Sequence, residues 1–529
     1  MSKSRDIADS AATINYIDTV TSNVQDQIDN LDPLPSQTGN AGNFLTTDGT
    51  SASWGAISTG NQVDFVASGT IGNGATVILN NDGTVSVVAQ VATSVGTSTV
   101  FNTAYTYLTA ATFDSVANKI VVCYRDAGNS SYGTAIVGTV SGTSITFGTA
   151  VVFNSANTLH QSTTFDSAAG KVVTVYRNLG NSNYGTAIVG TVSGTSISFG
   201  TAAVFNSGTT WYTSAVFDSS TGKVIIVYSD NGNGNYGTAV VGTVSGTSIS
   251  FGAEQVFKSS STTYISAAYN SVENKVVIAY TDNVSTNYGT AIVGTVNGAG
   301  SNMSFGTPVT FESAVTGFNS VVYDSASNKI VNAYRDAGNG NKGTAVVGTV
   351  SGTSISFGTP VVFANASSYG MKASFSSIGG NVVIAYEDWD DNNYGKAIVG
   401  KVSGTSISFE TALQFNTSTS FIETVYDEAA GKVVILYKMG SGATSSYGTA
   451  QLFTASSTNF ASFIGISDAA ISDTATGSVT IKGGVSTNVT SLTPATDYYV
   501  QADGSISATV SAVPAGKALS ATSILLKGI

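Results

Sequence analysis

Residues 184–202 read YGTAIVGTVSGTSISFGTA, and the same phrase returns through most of the chain. Aligned on its first residue, the copies begin at Tyr132, Tyr184, Tyr236, Tyr288, Lys342, Tyr394 and Tyr447, at spacings of 52, 52, 52, 54, 52 and 53. The copies, the seventh excepted, hold four short runs rich in β-branched and aromatic residues, as in YLTAATFD, KIVVCYRD, YGTAIVGTV and SITFGTAVVFN of the first, separated by Gly, Asn, Ser and Asp. Such runs between turn-forming residues read as strands. Four strands in a unit of this length predict a blade, and seven units predict a mainly β fold, a seven-bladed β-propeller of four-stranded blades.

The two ends of the array agree with a ring. The seventh copy supplies FIETVYD, KVVILYKM and YGTAQLFTA and then leaves the pattern without a fourth strand. Residues 92–102, ATSVGTSTVFN, resemble a fourth strand that has no first three before it. Segment 84–101 is therefore expected to complete the seventh blade, which leaves no sheet edge unpaired.

Comparison among the copies separates scaffold from variable positions. The turn between first and second strands barely changes (FDSVANK, FDSAAGK, FDSSTGK), and the turn between third and fourth reads VSGTS in most copies. The lead-in to each first strand does change: AYTYL, ANTLHQ, GTTWYT, STTYIS, VTGFNS, SSYGMK and STSFIE. So does the turn between second and third strands, from RDAGNSSY to EDWDDNNY. In an antiparallel blade these two variable connections share one face, and loops on a rigid scaffold commonly carry binding residues. Tyr107, His160, Trp211, Tyr212, Tyr264, Phe318, Tyr369 and Phe421 are thus expected to crown the central channel, with Trp389 in a neighbouring hairpin. They are candidates for stacking on a sugar or contacting a receptor, with Trp211 and Tyr212 foremost. The alternative is that they plug the channel or pack between blades. Trp211 and Trp389 lie three blades apart and are not expected to share a pocket.

Asp126, Asp230, Asp282, Asp336 and Asp388 recur at the end of the second strand, where Asp or Asn followed by Gly suits a turn. Only the sixth copy gathers enough acid, Glu387, Asp388, Asp390 and Asp391, to suggest a cation, and a single Ca2+ there is the one cofactor the pattern admits.

Composition excludes several classes. Acids outnumber Lys plus Arg by 32 to 20 and no basic cluster stands out, which argues against nucleic acid as a partner. One cysteine, Cys123, and one histidine, His160, leave neither a thiolate zinc site nor a nucleophilic triad. The arginines are Arg5, Arg125, Arg177 and Arg335, with no arginine cluster and no Asp-box repeat of the sialidase kind. A non-enzymatic protein is expected. No apolar run suits a signal peptide or a membrane span.

Four parts follow. Residues 1–32 place Ile7, Ile14, Ile17, Val24, Ile28 and Leu31 on heptad a and d positions, a pattern that favours three strands of coiled coil. Residues 33–83 are a Gly/Ser/Thr-rich linker with short β segments, 84–454 the propeller, and 455–529 a separate small β domain, too short for a generous core and so expected to associate with its own copies.

The flanks resemble bacteriophage tail-fibre proteins. SQTGNAGNFLTTDGTSASWGAI at 36–57 is similar to the linker after the virion-attached end of such fibres, and TGSVTIKGGV, LTPATDYYVQADGSIS and AGKALSATSILLKG to a terminal domain of fibre and appendage proteins. The resemblance implies a homotrimeric virion protein that joins other tail proteins through its N-terminal region and recognises a host surface glycan or protein. The rivals are a structural head or neck decoration and a glycan-degrading tailspike-type hydrolase.

Overall fold

A computed structural model describes residues 43–47, 52–56 and 61–527, apart from 81, 299, 441–445, 459–461, 502 and 512. The predicted heptad segment 1–32 lies outside them. The chain is mainly β and divides into two compact units, Gln90–Ser457 and Met1–Ala89 with Thr458–Ile529.

Within Gln90–Ser457 the second repeat shows the plan. Its second strand, Lys171–Asn178, pairs on one side with Thr158–Asp166 and on the other with Tyr184–Gly190, both antiparallel. The VVTVYR of KVVTVYRN and the GTAIVG of YGTAIVGTVS are buried, because each sheet is covered on both faces by its neighbours; that is why these strands read as apolar runs rather than as alternation. The outer strand comes in two pieces. Ser196–Phe199 pairs with Gly190–Ser193, and the start of the next strand, Ala203–Asp218, pairs with Tyr184–Ala187 before its second half becomes the first strand of the following sheet. A sixteen-residue strand of this kind links five of the seven sheets to the next; Leu413–Asn416 with Thr419–Asp427, and the longer Ser94–Asp114, make the other two links.

The glycine of YGTA has a packing reason. A Cβ on Gly185 would stand 2.5 Å from the ring of Phe205, which meets Tyr228 at 5.2 Å. The same Phe and Tyr recur from sheet to sheet, the tyrosines almost wholly buried.

The first strands neighbour one another in succession, and that of repeat seven neighbours that of repeat one. The pairing returns to its start because Tyr447–Thr454 pairs with Ser94–Tyr105. The core between them mixes both ends of the array, Phe101, Ile120 and Val122 with Val434, Leu436 and Leu452.

Two expected boundaries shift. The closing segment starts at Ser94 rather than 84, since Val85–Val87 pairs with Thr76–Leu79 in the other unit. That unit also absorbs much of the supposed linker: Gln62–Val66 pairs with Thr476–Ile481, and Thr76–Leu79 with Phe463–Ser467. Residues 455–529 are thus not a domain alone. The apolar surface they lack is supplied by the same chain, with Ile78 and Val88 joining Phe463, Ile466, Val500 and Leu526 in one core.

Candidate functional site

Every first strand carries a β-bulge at the same place. In repeat two the register runs Leu159↔Arg177 and then Ser162↔Val175, so His160 and Gln161 oppose a single residue. The first bulged residue takes positive φ in each described case: His160 at 47°, Tyr212 at 49°, Tyr264 at 49°, Phe318 at 55°, Gly370 at 56° and Phe421 at 53°. Bulky residues rarely adopt this conformation, and a bulge that enforces it re-aims its side chain.

The re-aimed side chains line a cavity of about 460 Å³. His160, Tyr212, Tyr264, Phe318 and Phe421 come from bulges, and Tyr369 and Trp389 join them. Centroid distances of 5.5 Å for His160–Tyr212, 5.4 Å for Tyr212–Tyr264, 5.0 Å for Tyr264–Phe318 and 5.6 Å for Phe318–Tyr369 make an aromatic arc. It ends where Trp389 stacks on Tyr369 at 3.9 Å and 22°. Burial, and then the charge of Arg177, push the His160 imidazole down to about 4, so it is neutral near pH 7.

The expected crown therefore holds residues of two kinds. Tyr107 and Trp211 sit one position earlier, in register with Arg125 and Ser229, and neither lines the cavity. Trp211 instead packs against His160 at 4.9 Å and carries the Arg177 guanidinium 4.2 Å from its ring centroid. Its emphasis as a contact residue passes to Trp389, which lines the cavity and is 51% exposed.

Beneath the arc the scaffold is stitched between neighbouring first strands. Ser162, Ser214, Ser266 and Ser320 each accept an amide hydrogen bond from the following repeat. Between repeats six and seven an ion pair does this work, Lys372 to Glu423 at 3.0 Å.

Repeat six breaks the arc with Gly370. A Cβ there would lie 2.9 Å from Glu387 Oε1, so the missing side chain makes room for a carboxyl at the cavity wall. Trp389 Nε1 donates to Glu387 Oε2 at 3.2 Å. Burial raises the Glu387 pKa, against the Trp389 hydrogen bond, the Phe421 amide and the charge of Lys438. Sequence comparison passed over Glu387 as a cavity residue. The signal was there, because SSYGMK places glycine where other copies carry an aromatic and EDWDD places Glu where most carry Arg, Ser, Thr or Lys.

The proposed calcium cluster does not form one. Glu387 turns to the indole and the cavity, and Asp390 accepts from the Ser367 amide at 2.9 Å. Asp388 and Asp391 are bridged by Lys396 Nζ at 2.7 Å each, so an ammonium stands where a cation would. Elsewhere the recurring residue caps its turn, as Asp126 accepts from the Gly128 amide and Asp230 from Gly232, both at 3.0 Å. Cys123 is buried, its thiol pushed up to about 11 by burial and hydrogen-bonded to Thr174.

No family model matches this sequence, and no curated protein is similar to it. Among solved structures, the BP39L lectin from Burkholderia pseudomallei is similar with a TM-score of 0.49 and 10% identity, over 68% of this chain and 98% of that chain. A protein of unknown function from Dyadobacter fermentans is similar with a TM-score of 0.41 and 10% identity, over 73% of this chain and 99% of that one.

Proposed function

We propose that Gln90–Ser457 is a seven-bladed β-propeller and that the protein binds a host-surface glycan in its central cavity, as a tail-fibre or tail-appendage subunit of a phage particle. The observation that carries this reading is the cavity, an arc of aromatic faces ending in an exposed indole whose neighbour is a buried carboxyl. A saccharide offers the matching chemistry, C–H faces for the rings and hydroxyls for Glu387. Binding is favoured over hydrolysis because Glu387 is the one carboxyl lining the cavity among the described residues, whereas glycoside hydrolysis ordinarily needs two. Trimerisation and attachment through residues 1–32 belong to the same proposal.

The test uses the full-length protein on susceptible host cells and on glycans extracted from them. Saturable binding that Trp389→Ala weakens, with the glycan chains left intact, is the expected result. Shortening of the chains would favour the hydrolase. Absence of binding, together with adsorption by particles that lack the protein, would favour a decoration.

A further inference from the structure

The last residue but one of each second strand pairs with the residue just before the bulge, and across the seven repeats it is Arg125, Arg177, Ser229, Thr281, Arg335, Glu387 and Lys438. Three of the chain's four arginines stand at this one position in a protein of net charge −12. No arginine cluster shows along the sequence because the residues are about one or three repeats apart.

The fold does not require these charges. Ser229 and Thr281 hold the same register without them. Three other lysines of the ring are paired with acids, Lys258 with Asp282, Lys372 with Glu423 and Lys396 with Asp388. Arg125, Arg177, Arg335 and Lys438 form no ion pair among the described residues; Arg125 Nη2 donates to Ser131 Oγ at 3.0 Å, whereas Arg125 Nε, Arg335 Nε and Arg177 Nε and Nη1 are buried atoms without a hydrogen-bond partner. Arg177 is buried and Arg125 and Arg335 are half-buried, and a guanidinium drawn out of water without a counter-charge is costly unless something neutralises it.

The charges converge most where repeat seven meets repeat one. Lys438, 8% exposed, donates to the Tyr105 hydroxyl at 3.1 Å and lies over the rings of Tyr105 and Phe421. Tyr105 stacks on Tyr107 at 4.2 Å, and the Arg125 guanidinium stands 4.8 Å from the Tyr107 centroid. Tyr107 in turn meets Phe421, a wall of the cavity, at 5.3 Å. Two cations and two phenols thus flank the cavity at this seam, and Glu387 acts on Lys438 only through space.

Resting on the glycan-binding reading, we infer that this cluster is an anion subsite and that the ligand is an acidic saccharide, whose carboxylate, sulfate or phosphate is held by Lys438 and Arg125 while its ring lies along the aromatic arc. Charge-assisted hydrogen bonds from both cations, with the phenols as further donors, would satisfy groups that the protein leaves open.

The full-length protein is tested on one surface bearing sialylated, uronic-acid-containing, sulfated, phosphorylated and neutral glycans. Binding confined to acidic members is expected, weakened at least about tenfold by Lys438→Met or Arg125→Gln and by raising NaCl from about 50 to about 500 mM. Arg125→Lys should keep part of the affinity, and thermal unfolding should confirm that each variant is folded. Which acidic group binds distinguishes carboxylate from sulfate and phosphate. Binding confined to neutral glycans overturns the anion subsite and leaves the glycan-binding reading standing; acidic binding indifferent to both variants also overturns it. Binding to an acidic peptide surface but to no glycan overturns both.

Discussion

Repeats two and six share one backbone register and differ at nearly every position that faces the cavity. The pair Leu159↔Arg177 in repeat two corresponds to Tyr369↔Glu387 in repeat six, and the bulge residue is His160 in one and Gly370 in the other. The turn that Asn178 caps through the Gly180 amide in repeat two is held in repeat six by Asp388, which makes no cap hydrogen bond and relies on Lys396 where Thr186 stands in YGTA. The exchange shows that the scaffold tolerates opposite charges at one register position beside the bulge, and that a turn without its cap hydrogen bond can be held by another partner.

The largest expected effect removes that partner. Lys396→Thr restores YGTA but leaves Asp388 buried and unpaired, and should cost about 3 kcal/mol in denaturant unfolding. Adding Asp388→Asn recreates the Asn178–Thr186 pair of repeat two and should recover most of the loss. If the double variant is no more stable than the single, the two repeats do not use interchangeable solutions.

Acid should then separate the repeats. The His160 pKa is depressed to about 4, so the fold holds the neutral imidazole: its contribution is full above the ordinary value near 6.5 and is lost as pH falls toward 4. The loss should reach up to about 3 kcal/mol at pH 4 and be absent in His160→Asn, measured by urea unfolding across pH.

Next in size is the contrast between two tryptophans. Trp389→Ala should weaken glycan binding by about 2 kcal/mol, roughly thirtyfold. Trp211→Ala should leave affinity unchanged and lower stability by a similar amount, because its ring does not line the cavity and packs on Arg177 and behind His160. Titration calorimetry and unfolding together distinguish the two.

The smallest effect belongs to Glu387. Its pKa is raised by burial, so the folded state disfavours the ionised form; the penalty is absent below the unfolded-state pKa and grows as pH rises through the folded one. Glu387→Gln should therefore match the parent protein in acid and exceed its stability near neutrality, the opposite trend to His160.

Much of the architecture was legible. The period of YGTA, its four strand-like runs and the orphan fourth strand at 92–102 anticipate the strand pairing, including the return of Tyr447–Thr454 to Ser94–Tyr105. The boundary at 84 was misplaced because Val85–Val87 is as β-prone as the strand after it, and periodicity carries no information on which partner a strand will choose. The same limit hid the joining of Gln62–Val66 to Thr476–Ile481, more than four hundred residues away.

The candidate site was legible as a region and not as a set of residues. Adjacent aromatics such as Trp211 and Tyr212 look equivalent in a list, yet a bulge gives one of them positive φ and a place in the cavity and leaves the other against Arg177. Four neighbouring acids look like a cation site until Lys396, eight residues beyond Asp388, fills the gap across a hairpin.

What the sequence alone determined is what repetition and composition can carry: the number of repeats, the strands in each, and the face on which the copies differ. Which side chains meet was decided by tertiary structure. The bulge sets direction, Gly370 vacates a volume that Glu387 enters from the paired strand, and ring closure brings Lys438 of the last repeat to Tyr105 of the first. Those contacts depend on backbone geometry and on residues hundreds of positions apart, to which local pattern is blind.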